Sequence, residues 1–210
     1  MGIAERKERE KKQRREEIIS AAQEVFFEKG FDGATMDDVA ERAELSKGTL
    51  YLYFKSKDDL QLAISRRSIK LLEEYTREVE NESGNALQKL LRMGQRCVEF
   101  SRNYPDHMKA ILTLEGIDPD DISMDADDIR HMLFTESTVG AVLKVVEQGI
   151  EEELIRSDIP AQLIAHTLWM SVVGVIRFVT NKLVLLEMLD VSPEKVYESH
   201  FELVINGIRS

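Results

Sequence analysis

The sequence predicts an all-α protein, a small N-terminal helical unit joined to a larger helical bundle. Three observations carry that expectation. Apolar residues recur at three- and four-residue spacings along the chain, and no run alternates with the period of two that marks a half-buried strand. The starts of those apolar runs carry Ser, Thr or Asn, side chains that accept a hydrogen bond from an unpaired N–H of a helix's first turn. Charge divides the chain: residues 1–67 hold 14 basic and 14 acidic residues, whereas residues 68–210 hold 14 and 25, so the whole net charge of −11 lies in the second part.

Residues 5–15 carry seven bases and three acids. Such a run is ordinarily a solvated helix extension, but a basic arm beside a nucleic-acid-binding unit also meets phosphates, which makes Arg14 and Arg15 candidates. A first helix is expected from about Glu16 to Lys29, with Ile18, Ile19, Ala22, Val25 and Phe26 on one stripe and Gly30 as its stop. Thr35 with Asp38, and Ser56 with Asp59, fit the capping box, and Ser46 offers a further cap. These signals place short helices over 36–43 and 47–54 and a longer one from Lys57 to about Glu80. Two short helices across a tight turn have the plan of a helix-turn-helix, here over residues 35–54. The segments are too short to persist alone, so Val39, Ala40, Ala43, Leu50 and Phe54 must pack.

The polar residues of this stretch suit a polyanion. Lys47 sits in the first turn of the second helix, followed by Thr49, Tyr51 and Tyr53, and the first turn of such a helix meets base edges in a major groove. Lys55 and Lys57 flank the next helix start, where backbone N–H groups favour phosphate. The stretch from Thr35 through Ala43, then Gly48-Thr-Leu-Tyr-Leu-Tyr-Phe-Lys-Ser-Lys-Asp-Asp-Leu60, resembles the DNA-binding segment of the tetracycline-repressor-like (TetR) family of transcriptional regulators. The resemblance covers roughly the first third of the chain. One departure stands out: Glu44 occupies the inter-helix turn where the family usually has glycine, and a positive φ there strains a residue with a Cβ.

The resemblance implies an arm over 1–12, a three-helix helix-turn-helix DNA-binding domain over 13–73, and a C-terminal helical bundle over 74–210 for ligand binding and dimerisation. It places Thr35, Tyr51 and Lys57 on phosphates and Lys47 on guanine O6/N7. Thr49 meets a thymine methyl or a phosphate, with Ser46, Gly48 and Tyr53 beside them.

In the second part the apolar stripes place helices over 85–103, 106–114, 129–153, 160–189 and 193–208. Seven acids between residues 115 and 128 lack calcium-loop spacing and read as an exposed loop. The stripe of Tyr197, Phe201, Val204 and Ile208 is expected to form a dimer interface. A ligand pocket, implied by the resemblance, draws its candidates from Tyr104, His107, Met132, His166, Trp169, Met170 and Arg177. No glycine loop for phosphate, His-Glu-x-x-His or paired-cysteine motif is present, so no catalytic residue, metal or cofactor is expected. The single Cys97 and the charged N-terminus point to the cytoplasm.

The expected function is therefore a dimeric, cytoplasmic repressor that binds a palindromic operator in double-stranded DNA and is released by a small-molecule effector. Two other readings compete with it. A helical adaptor would use the same motif for a protein partner, and a cryptic small-molecule enzyme would lack an obvious motif.

Overall fold

The structure is a computed structural model, and it describes residues 2–113 and 138–210. The described helices are α1 (Ile3–Gly33), α2 (Met36–Arg42), α3 (Lys47–Tyr51), α4 (Lys57–Arg77), α5 (Ala86–Asn103), α6 (Pro105–Thr113), α7 (Thr138–Glu151), α8 (Ala161–Asn181), α9 (Leu183–Met188) and α10 (Pro193–Ile208). A 3-10 turn, Glu78–Asn81, follows α4. Among the described residues the one β feature is an isolated antiparallel bridge between Ile155 and Arg209. The predicted all-α class holds. The acidic run 115–128, the first part of the helix expected over 129–153, and Met132 lie outside the described residues.

The described residues divide into two compact units, one holding the chain up to residue 68 with 109–113, the other holding 69–108 with 138–210. In the first unit, Ile18, Ala22, Val25 and Phe26 of α1 close over Val39 and Ala40 of α2, Leu50 of α3, Phe54, and Leu60 and Ile64 of α4. Ala110 joins this core, and its carbonyl accepts a 2.8 Å hydrogen bond from the buried Ser65 hydroxyl. The helix expected from Glu16 begins earlier, at Ile3. The basic run is helical because its charges pair along the axis, Arg6 with Glu10 and Arg14 with Glu17, both at 2.8 Å. Gly30, at φ +73°, breaks the helical path where the sequence placed its stop.

In the second unit, α5, α7 and α8 share a core of Leu90, Met93, Val142, Val146, Ile164 and Ala165. By length and composition alone α8 suits a membrane span, yet Val172, Val173 and Ile176 are buried within this unit. The single helix expected over 160–189 is in fact two, because Lys182 leaves helical geometry at φ −125° and ψ 27°.

The last helix makes contacts within its own unit. The stripe assigned to a dimer face is taken up in part by its own unit: Tyr197 is buried under the Arg102 guanidinium, the half-buried Phe201 and Val204 line a cavity, and the half-buried Ile208 packs on the unit's core. Periodicity identifies which residues share a face, not what that face meets. The apolar surface left outside is formed instead by Leu163, Met170 and Phe178 of α8, Val184 and Met188 of α9, and Leu203 of α10.

Three helices end in the same way. Glu44, Glu153 and Asp190 adopt φ values of 56°, 56° and 55° beyond α2, α7 and α9. In each case the next residue (Leu45, Leu154 or Val191) donates its N–H to a carbonyl five residues back, and the acidic residue donates three back. This is the Schellman closure, in which the left-handed position usually falls to glycine.

Candidate nucleic-acid interface

α2 and α3 are set by their caps. Thr35 Oγ1 accepts from Asp38 N at 3.1 Å, while Asp38 Oδ2 accepts from Thr35 N at 2.9 Å and from the Thr35 hydroxyl at 2.8 Å. Lys29 Nζ lies 2.6 Å from Asp38 Oδ1. The Lys29 ammonium first, then the Thr35 donors, holds the Asp38 carboxyl at about 2, below its ordinary 3.8. Both donors of Thr35 are thus turned to Asp38, so this residue acts in the structure as the cap of α2. Ser46 Oγ accepts from Thr49 N at 3.1 Å and lies 2.8 Å from Thr49 Oγ1. At the third start, Ser56 Oγ accepts from Asp59 N at 3.0 Å, but the Asp59 carboxylate reaches back to Lys55 N, one residue before the expected cap.

Around this frame, α3 projects an exposed patch. Lys47, Gly48 and Tyr51 lie on the surface of the first unit and Thr49 is half-buried, while Leu50 points into the core. Lys47 Nζ is 2.7 Å from Asp37 Oδ1, and this hydrogen bond and charge hold its pKa above the ordinary lysine value. Gly48 has no fold-imposed reason to be glycine: its φ is ordinary, and a Cβ there would meet nothing closer than Ser46 Oγ at 3.9 Å. Leu52, which the motif did not single out, is 81% exposed immediately after α3. An apolar side chain left in water beside a lysine-bearing helix start was the available signal.

Lys57, expected on a phosphate, is engaged within the first unit. Its ammonium donates to the carbonyls of Phe31 at 2.8 Å and Ala34 at 3.2 Å, and it sits 4.3 Å above the Phe31 ring. That charge satisfies carbonyls at the end of α1 from a half-buried position. Arg15 stacks 4.7 Å over the Phe54 ring, and Arg14 pairs with Glu17. Tyr53 is half-buried against the first core, and Lys55 is exposed.

The described ligand-pocket candidates do not converge on one cavity, though Tyr104 and His107 come together. Trp169 lines a cavity of about 40 Å³, together with Met93, Cys97, Thr138, His200 and Phe201, none of which the sequence reading proposed as pocket residues. The Met93–Cys97 spacing with Gly94 between them was the signal that could have found α5's side of it. Met170 is 59% exposed on the outer face of α8. Tyr104 stacks with Tyr75, Phe100 and His107 in an aromatic group elsewhere in the second unit. His166 Nδ1 lies 2.6 Å from the Gln162 carbonyl, and Arg177 is half-buried on α8. Burial drives the Cys97 thiol up to about 12, so it is a core group and not a reactive one.

An exposed second helix on a capped three-helix frame defines a helix-turn-helix DNA-binding unit. Residues 18–64 match the model of bacterial regulatory proteins, tetR family. The chain is 28% identical over 167 residues to the HTH-type transcriptional activator FasR of Mycolicibacterium smegmatis, covering 78% of this chain and 68% of that protein. It is 33% identical over 97 residues to the fatty acid metabolism regulator protein of Bacillus subtilis, covering 46% of this chain and 49% of the relative, so it spans about half that relative's length. The fold resembles the crystal structure of the Bacillus subtilis regulator FadR in complex with stearoyl-CoA, with a TM-score of 0.64 at 20% identity over 91% of this chain and 98% of that one. Over residues 18–64 the chain therefore carries the N-terminal regulatory domain of the TetR family, and its relatives are transcriptional regulators of that kind. The relatives named here are regulators of transcription, not enzymes.

Proposed function

We propose that this protein is a homodimeric repressor that binds a palindromic operator in double-stranded DNA and is released by a small-molecule effector held in its second unit. The observation that carries the reading is α3. Its Leu50 anchors it to the core while Lys47, Gly48, Tyr51 and the following Leu52 are left to solvent. In this arrangement Lys47 donates to guanine O6/N7, and Thr49 or Leu52 meets a thymine methyl. Tyr51, the exposed Lys55 and Arg14 contact phosphates, while Thr35, Ser46 and Lys57 hold the frame. A glycine inside a helix is less stable than alanine by about 1 kcal/mol, and the space at Gly48 suits a DNA backbone or base edge approaching closely.

The dimer reading rests on the outward apolar residues of α8, α9 and α10, too large a set to leave in water on a monomer. A two-fold axis through such a face pairs two recognition helices and favours a palindrome. Small-molecule control draws support from the stearoyl-CoA held by the regulator of similar fold. A regulator of this kind works in the cytoplasm with its DNA.

Selection of random double-stranded DNA on the purified protein tests the reading. The expected product is a two-fold-symmetric site that, placed over a promoter, lets the protein lower transcription in vitro. Gly48→Ala should raise thermal stability by about 1 kcal/mol while weakening binding to that site. No enriched sequence, or full binding by Gly48→Ala, would move the adaptor reading ahead.

A further inference from the structure

The cavity beside Trp169 is bounded by α5, α7, α8 and α10 and is lined mainly by apolar side chains, Met93, Val142 and Phe201 among them. Two of its features describe what belongs inside. Thr138 is 1% exposed, and its Oγ1 has no hydrogen-bond partner among the described residues. A buried hydroxyl is ordinarily paired, and one left unpaired is unfavourable until something meets it. Further, among the described residues no Asp, Glu, Lys or Arg lines the space, so an ionised ligand group would be desolvated there without a countercharge from them. His200, a titratable ring on the wall, is shifted by burial toward its neutral form.

Size limits the closed state. About 40 Å³ exceeds the roughly 10–15 Å³ that one water requires, but it holds only a few heavy atoms. Growth is available in one direction. Phe201 and Ile205 also line a groove of about 700 Å³ bounded by α5 and α10. The Phe201 ring lies directly on Gly94, where an added Cβ would stand 2.4 Å from Cε1. The ring, seated on a bare backbone, stands between cavity and groove. The groove carries Glu99, Glu194, Glu198 and Glu202 against Arg102 and Arg209, and Arg102 is already 2.9 Å from Glu194. An anionic head group is therefore disfavoured at the mouth as well as inside.

We infer that this cavity takes an apolar ligand carrying one uncharged hydrogen-bonding group, which pairs with Thr138 Oγ1, and that Phe201 moves toward the groove to admit it. The inference rests on the effector reading above and names the chemical class of that effector. Trp169, the chain's single tryptophan, is a built-in reporter.

The test titrates the full chain at pH 7.5 with octan-1-ol and decan-1-ol, and in parallel with octanoate, decanoate and decylamine, following Trp169 fluorescence. Saturable binding of the alcohols is expected, with the carboxylates and the amine at least about tenfold weaker. Thr138→Val should weaken decan-1-ol about fivefold, and Thr138→Ser should restore it. Phe201→Ala should favour decan-1-ol over octan-1-ol more strongly than the parent chain does. Equal or tighter carboxylate or amine binding, no saturable alcohol binding, or a Thr138→Val protein of unchanged affinity overturns the inference. Operator release by the same compounds separates the two readings. Alcohol binding that Thr138→Val weakens, without operator release, retains the site and removes its effector role. Release by a compound that neither shifts Trp169 fluorescence nor responds to Thr138→Val retains an effector and removes this site.

Discussion

The two units differ in how completely they satisfy themselves. In the first, polar ends are closed from within: Thr35 and Asp38 cap α2, Ser46 caps α3, and the Lys57 ammonium closes carbonyls at the end of α1. Its core side chains Ile18, Val39, Leu50 and Leu60 are fully buried. The second unit leaves Thr138 unpaired among the described residues, holds a cavity behind Phe201, and turns Met170 and Leu203 to water. A unit that presents one fixed surface gains from rigid closure, while one that accepts a ligand and a second subunit must leave surface and hydrogen-bonding capacity unspent. The difference is therefore physical support for assigning recognition to the first unit and control to the second.

The strongest test of internal closure is Lys57. Removing an ammonium that donates to two carbonyls and covers an aromatic ring should destabilise the first unit by about 1–3 kcal/mol. Lys57→Ala should thus lower the unfolding midpoint in urea. Among molecules still folded, the salt dependence of DNA binding should be unchanged. A salt slope smaller by about one unit, with stability intact, would return Lys57 to a phosphate and weaken the contrast between the units.

A smaller effect compares the units on the same feature. Glu44 in the first, and Glu153 and Asp190 in the second, hold left-handed backbone with a Cβ in place. Glycine at each should stabilise the chain by about 1 kcal/mol, read by thermal or urea unfolding. If Glu44→Gly gives the full gain and the other two give none, the first unit limits stability; the reverse pattern would assign that role to the second. Glu44→Gly also removes a carboxylate beside α3, so its operator affinity should rise with its stability.

How far these features were legible follows from their range in sequence. The Thr35–Asp38 box spans three residues and was visible in the chain, while the left-handed turn at Glu44 was expected only from the glycine that the resembled family usually has there. The Lys57 contacts reach back 26 and 23 residues, and a lysine next to a helix start looks the same whether it faces solvent or a carbonyl. For Tyr197 and Phe201 the stripe was legible but its direction was not. α8 is apolar on both its inner and outer sides, and only the packed structure says which neighbour occupies which. The cavity is the least legible feature, since it depends on a glycine in one helix meeting a ring in another, 107 residues along the chain.

The smallest expected effect bears on the surface that the first unit leaves open. Lys47 is engaged with Asp37 at 2.7 Å, yet both side chains are more than half exposed, so water screens the pair and it holds Lys47 only weakly. To reach a base edge, Lys47 must leave Asp37, and the Asp37 carboxylate stays near the approaching phosphates. Asp37→Asn removes both penalties, so affinity for the selected operator should rise by up to about fivefold at low salt. The gain should shrink as added salt screens the charges over a shorter Debye length. A loss of affinity in Asp37→Asn would reverse the reading of the pair. Asp37 would then be holding Lys47 in its base-reading position, and the first unit would prove as closed on its DNA-facing side as it is in its core.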